Sequence, residues 1–285
     1  MKKFLGAICL ALFLSVAGYV TYYYTTQDRH IFDFPKVKSN HNYAFKHPHK
    51  EITMDTPTGG KANFVIFESQ TKEPKGVIAY FHGKGSNIGF KKWEPVVEVY
   101  TSMGFDFLML DYRGGGKSRG KRIEADMLDD CDQVYKYLLD YYPEESITIY
   151  GKSLGTSFAT YVASKNNPRT LILEAPFFNL FDCACNTVPT MPKYFVNMIL
   201  NYSLTTDAWL KKVPCPVYII HGTADKIIPH AASLKLANAI KDTHSIDLTI
   251  IEDGDHDHLY IHDIFGIKIK EALGITPDQA VADAS

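Results

Sequence analysis

The chain has 285 residues and 46% hydrophobic residues, enough for one large α/β domain or two small ones with a sizeable core. Thirty Lys and Arg against 32 Asp and Glu give a net charge of -2, which removes any global attraction to nucleic acid. The five cysteines, Cys9, Cys131, Cys183, Cys185 and Cys215, contain no C-x-x-C, which argues against a zinc ribbon or redox motif; Cys183 and Cys185 lie too close in sequence for an ordinary disulfide.

At the N-terminus, Lys2 and Lys3 precede an uncharged stretch from Phe4 to Gln27 that contains "FLGAICLALFLSVAGYV" and then "TYYYTT". A cleavable signal has an apolar region of about 7–15 residues, whereas a spanning helix needs roughly 17–25. Phe4 to Val20 lies between the two, and Tyr22, Tyr23 and Tyr24 suit a membrane–water interface. An uncleaved anchor at 1–27 is the expectation. A signal cleaved near Ser15-Val16-Ala17, giving a secreted protein, is the alternative. Lys2 and Lys3 direct the domain to the outer side of the membrane, while Arg29, Lys36 and Lys38 on the other flank oppose that orientation in part.

Residues 28–50 are polar, aromatic and aperiodic, and are expected to form a linker lying on the domain. From about residue 51 to 275, apolar runs alternate with amphipathic ones. Strands are predicted at "KANFVIFES", "GVIAYFH", "DFLMLDY", "SITIYG", "TLILEA", "CPVYIIH" and "IDLTIIE". Helices are predicted at 91–103, 124–142, 154–165, 230–240 and 257–273. The strands are nearly continuous in apolar residues, as in a mainly parallel sheet covered by helices on both faces, and chemistry is then expected on the loops at its strand ends. The apolar interval 176–214 interrupts the alternation, as a pair of packed helices or a short lid. Residues 276–285 form a tail.

Within "SITIYGKSLGTSFATYVAS", a strand leads through Gly151-Lys152-Ser153-Leu154-Gly155 into a helix. This is G-x-S-x-G in strand–turn–helix context, which strains the serine backbone and lifts its Oγ above the sheet. The helix N-terminus below it favours developing negative charge. A phosphate loop is the rival, but the glycine it requires is Ser146 in one "GKS" and Asp111 in the other. His82-Gly83-Lys84-Gly85 ends an earlier strand, so the backbone N–H groups of Lys84 and Leu154 are the expected oxyanion donors, with His82 stabilising the turn.

After "CPVYIIH", Asp225 is the expected acid, with Glu174 as the alternative. "DGDHDHLYIHD" supplies His256 as the base, with His258 in reserve. His258 and His262, spaced i and i+4, would share a helical face, but they lack the glutamate of H-E-x-x-H. No metal and no cofactor are expected.

The order of "FHGKGSN", "LDYRGGGKSRG", "YGKSLGT", "HGTADKIIP" and "DGDHDH" resembles the α/β-hydrolases. More narrowly it is similar to small serine hydrolases with an N-terminal membrane segment, including the YfhR-like and abhydrolase-domain proteins, some of which are depalmitoylating thioesterases. The resemblance implies the α/β-hydrolase fold, the triad Ser153, Asp225 and His256, and a structural turn at Tyr112-Arg113-Gly114. Lys84 stands where the family often has Asn, and Asp257-His258 where it often has Asn-Asp.

The expected activity is cleavage of small carboxylic esters or thioesters through an acyl-enzyme, with acyl-chain substrates favoured by the apolar 176–214 interval. A serine peptidase and a non-catalytic anchored binding protein are the alternatives. Nothing in the sequence points to an oligomeric state.

Overall fold

The computed structural model describes residues 2–275; the tail at 276–285 lies outside the described residues. A long helix α1 (Lys2–Ile31) leads to β1 (His49–Asp55), β2 (Lys61–Phe67) and β3 (Val77–Phe81). Then come α2 (Glu94–Ser102), β4 (Asp106–Asp111), α3 (Glu124–Leu139), β5 (Ile147–Lys152), α4 (Gly155–Ala163) and β6 (Thr170–Glu174). Three short helices follow, α5 (Leu180–Thr187), α6 (Lys193–Ile199) and α7 (Thr206–Leu210). The domain closes with β7 (Val217–Gly222), α8 (Ala231–Ile240), β8 (Ile246–Ile251) and α9 (Asp263–Ala272).

The eight strands form one sheet in the order β1-β2-β4-β3-β5-β6-β7-β8. β2 runs antiparallel to β1 and β4, and every other pairing is parallel. Side chains alternate across the pleat. Ala79, Phe81 and Ile149 face the layer holding Val134 of α3, Phe158 of α4 and Leu236 of α8. Ile78, Tyr80 and Tyr150 face the layer holding Tyr100 of α2 and Ile269 of α9. Each fully buried aromatic or branched side chain contributes about 1.5–3 kcal/mol, so the two layers hold the sheet firmly from both sides.

All seven predicted strands are present. The eighth, β1, is an edge strand whose "HKEITMD" leaves one face to solvent. The helix predicted from 91 begins as a 3-10 turn at Lys91–Trp93 and becomes α-helical where Pro95 can occupy the first turn. The helix predicted from 257 begins only at Asp263.

The segment after α1 is packed into the domain. Phe32 and Phe34 are buried, and Pro35 and Val37 exchange backbone hydrogen bonds with Gly116. α1 itself, whose most apolar 18-residue window has mean hydropathy 2.1 and is not buried, is long and apolar enough to cross a membrane.

Candidate active site

The parallel register aligns the carboxyl ends of six strands, and the site is assembled there. Ser153 follows β5 with φ of +52°, a left-handed conformation that costs a non-glycine residue on the order of 1–3 kcal/mol. Local bonds hold it in place. Its N–H donates to the Glu174 carbonyl at 2.8 Å, and its own carbonyl accepts from the Thr156 N–H at 3.0 Å. The flanking glycines are required by close approach. A Cβ at Gly155 would lie 1.9 Å from the Phe81 carbonyl oxygen, and one at Gly151 would lie 2.6 Å from the Thr156 Cα.

The loops after β7 and β8 bring two more side chains to this serine. His256 Nε2 lies 3.0 Å from Ser153 Oγ, and His256 Nδ1 lies 2.7 Å from Asp225 Oδ2. With the Nδ1 proton donated to the carboxylate, Nε2 is free to accept the serine proton. The two loops meet because neither turn carries a side chain at the contact. A Cβ at Gly222 would lie 2.0 Å from the Gly254 carbonyl oxygen.

Asp225 is itself heavily donated to. Oδ1 accepts the Ile227 and Ile228 N–H groups, each at 2.8 Å, and Oδ2 accepts from His221 Nε2 at 3.1 Å as well as from His256. Burial pushes this carboxyl up, but the bonds from His221, His256 and Ile228 outweigh it and hold it well below the usual carboxylate range. His221 went unnoticed in the sequence. It is fully buried, accepts at Nδ1 from the Ser233 hydroxyl (2.7 Å), and donates to the same Asp225 oxygen as His256 does. A buried histidine four residues before a candidate acid was its only sequence signal.

On the other flank lies the His82–Gly85 turn. Among the described residues, neither the Lys84 N–H nor the Leu154 N–H donates to a protein acceptor. The turn around Lys84 is fixed at three points: His82 Nδ1 donates to the Gly83 carbonyl (2.8 Å), Tyr112 Oη donates to the His82 carbonyl (2.8 Å), and the Gly85 N–H donates to the Asp33 carbonyl (2.7 Å). Burial pushes His82 down to about 4, so it is neutral at physiological pH. It is a structural element of the turn.

A cleft of about 930 Å³ opens over Ser153, within the range of ordinary small-molecule sites. Trp93, Val96, Val99, Tyr100 and Phe265 form an apolar wall, and Lys84, Lys152 and His256 line the polar side. Glu174, the alternative acid, is engaged elsewhere: Oε1 pairs with Lys152 Nζ at 2.8 Å and Oε2 accepts from Tyr150 Oη at 2.6 Å. His258, the reserve base, pairs with Asp255 at 2.9 Å. His258 and His262 do not share a helical face, because a 3-10 turn at Leu259–Ile261 separates them. Arg113 is buried in a salt bridge with Asp130 and Asp126, away from the cleft lining.

A mainly parallel eight-stranded sheet with a strained serine between strand and helix at its carboxyl edge defines the α/β-hydrolase fold, and this chain has that fold. Comparison with known proteins agrees. Residues 72–201 match the family described as serine aminopeptidase S33, a span that includes Lys84, Ser153 and Leu154 and stops before Asp225 and His256. The chain is 26% identical over 196 residues to the lysophosphatidylserine lipase ABHD12 of Danio rerio, covering 64% of this chain and 51% of that protein. It is 27% identical over 190 residues to Protein bem46 of Schizosaccharomyces pombe, covering 63% of this chain and 58% of that protein. The chain thus spans about half the length of the curated relatives it matches. An esterase from Pyrococcus furiosus superposes with a TM-score of 0.66 at 20% identity, covering 86% of this chain and 96% of that one.

Proposed function

We propose that the protein is a membrane-anchored serine hydrolase that cleaves carboxylic esters or thioesters of acyl chains. The observation that carries this is the continuous relay from Ser153 Oγ through His256 to Asp225, at 3.0 and 2.7 Å, beneath an apolar cleft. Ser153 Oγ attacks the acyl carbonyl as His256 takes its proton. The Lys84 and Leu154 N–H groups receive the oxyanion. His256 then protonates the leaving alcohol or thiol, and water attacks the acyl-enzyme by the same route in reverse. Asp225 fixes the imidazole tautomer and stabilises its charged form.

The lipase and esterase relatives support an ester substrate, and the apolar wall from Trp93 to Tyr100 supports an acyl chain. α1 serves as the anchor, and the helices α5 to α7, within 176–214, serve as a lid. Lys2 and Lys3 support an outward orientation of the domain, against Arg29, Lys36 and Lys38 on the other flank.

Peptide cleavage is the second reading, favoured by the aminopeptidase description of the matched family. Against it, the buried carboxylate of the cleft, Glu174, is already bonded to Lys152 and Tyr150 rather than open to a substrate ammonium. Two measurements test the proposal together. Replacing Ser153→Ala is expected to lower p-nitrophenyl butyrate turnover by roughly a millionfold with the circular dichroism unchanged. Across p-nitrophenyl esters of graded chain length and aminoacyl anilides, turnover of the esters alone is expected. Retained turnover in the serine variant, or preference for anilides, would overturn it.

A further inference from the structure

The lid helix α6 carries an exposed apolar face that nothing among the described residues covers. Tyr194 and Met198 are 66% and 64% exposed and Phe195 is 39% exposed, while Val196 on the other side of the same helix is buried. Spacings of three and four residues place Tyr194, Phe195 and Met198 on one side. This helix is tied to α1 by a group of hydrogen bonds. Gln27 Nε2 donates to the Ile199 carbonyl at 3.1 Å, and Gln27 Oε1 accepts the Asn201 N–H at 2.8 Å. Asn201 Nδ2 donates to the Tyr24 carbonyl at 3.2 Å. Gln27 is buried in this clamp, and Phe32 packs edge-on against Tyr202 just beyond it.

The position of the clamp along α1 determines what faces α6. A hydrocarbon layer of about 30 Å takes about 20 residues at 1.5 Å each, so a span beginning at Phe4 leaves the layer near Tyr23. Exposed tyrosines at 19, 22, 23 and 24 gather at that boundary. Gln27 lies roughly 6 Å further along the helix axis, at headgroup depth. A helix bonded to Tyr24 and Gln27 therefore sits at the bilayer surface, where an aromatic and methionine face is stabilised by partial insertion.

Resting on the reading of α1 as an anchor, we propose that α6 is a second membrane contact: its Tyr194, Phe195 and Met198 face inserts into the headgroup–acyl boundary beside α1, locked there by Gln27. The occupant of the face is the lipid surface of the same bilayer. Asp33, two residues beyond α1, lines the catalytic cleft, so the clamp sets the cleft at a fixed height above the membrane. The lid is then a docked element, and lipid esters reach the cleft from the leaflet.

The test uses the full chain in phosphatidylcholine nanodiscs. Photo-reactive benzoylphenylalanine is placed, one site at a time, at Tyr194, Met198, Tyr19 and Tyr141, and lipid adducts are counted by mass spectrometry. Tyr19 reports the anchor. Tyr141, 60% exposed and just before β5 at the amino-terminal end of the strands, reports an aromatic site away from the bilayer. Adducts at 194 and 198 are expected at about fivefold or more above those at 141. Adducts at 19 but only background at 194 and 198 would overturn the docking and leave the anchor standing. Background at 19 as well would remove both. Gln27→Ala is expected to lower the adducts at 194 and 198 severalfold, with those at 19 and the hydrolysis of p-nitrophenyl acetate unchanged; undiminished adducts at 194 and 198 would eliminate the clamp.

Discussion

β7 ends in His-Gly and β3 is followed directly by His-Gly, and both histidines are fully buried. Beyond the shared dipeptide the two turns diverge. After His221-Gly222 the next two N–H groups are committed to the neighbouring loop: Thr223 donates to the Ile251 carbonyl and Ala224 to the Gly254 carbonyl, each at 2.9 Å. That stitching carries Asp225 to the loop that holds His256. After His82-Gly83 the Lys84 N–H has no protein acceptor among the described residues, and the turn is held by its carbonyls and by Gly85 instead. One turn therefore positions a side chain, and the other leaves a backbone N–H open, as the proposed oxyanion donor must be. Where the N–H groups go decides which role a turn serves.

The largest effect should come from the turn that delivers the side chain. Asp225→Asn keeps the shape but supplies a neutral partner and permits the wrong imidazole tautomer, so kcat is expected to fall by about ten-thousandfold with the fold intact. A loss below about tenfold in steady-state kinetics would mean that the acid does not orient His256.

The turn that delivers the backbone donor should show itself in stability instead. His82 has a folded-state value near 4 against 6.5 for a free histidine, because burial penalises its charge. The unfolded chain binds the extra proton, so stability rises with pH across this window. The His82 contribution is fully present above about pH 6.5 and is lost as pH falls toward 4, a change of about 3 kcal/mol. Unfolding midpoints measured from pH 7 to 4 should fall accordingly. His82→Phe, which removes the titrating group and keeps a ring, should flatten that part of the profile; an unchanged slope would assign the acid sensitivity to other groups.

His221 sharpens the contrast, since it is the buried histidine that touches the acid. His221→Phe removes one donor to a charged carboxylate, an interaction worth about 1.5–3 kcal/mol. A drop in kcat of about tenfold to a hundredfold, with KM little changed, is expected from that loss. If kcat were unaffected, the two bonds from Ile227 and Ile228 would suffice to hold Asp225.

How much of this was legible in the sequence follows from where the constraint is local. The seven apolar strands, the glycines around Ser153 and the chain order Ser, Asp, His all leave marks in short windows. β1 left little, because an edge strand exposed on one face reads as polar linker. The late start of α9 was hidden by Asp255: its carboxylate accepts the Asp257 and His258 N–H groups at 2.9 and 2.7 Å, a local turn that competes with the helix. The bonds from Gln27 to Ile199 and Asn201 span more than 170 residues, and no periodic pattern encodes such a pair.

The smallest effect tests whether Lys84 acts through its backbone alone. Its side chain stands exposed at the cleft, it makes no ion pair among the described residues, and an oxyanion would be met by the N–H that the turn leaves open. Lys84→Ala keeps that N–H, so turnover of a neutral acetyl ester should change by less than about threefold, against the hundredfold to thousandfold loss typical when an oxyanion donor is removed. Lys84→Pro, which deletes the N–H, should approach the larger figure. Comparable losses in both variants would transfer the role to the ammonium group, and the β3 turn would then deliver a side chain just as the β7 turn does.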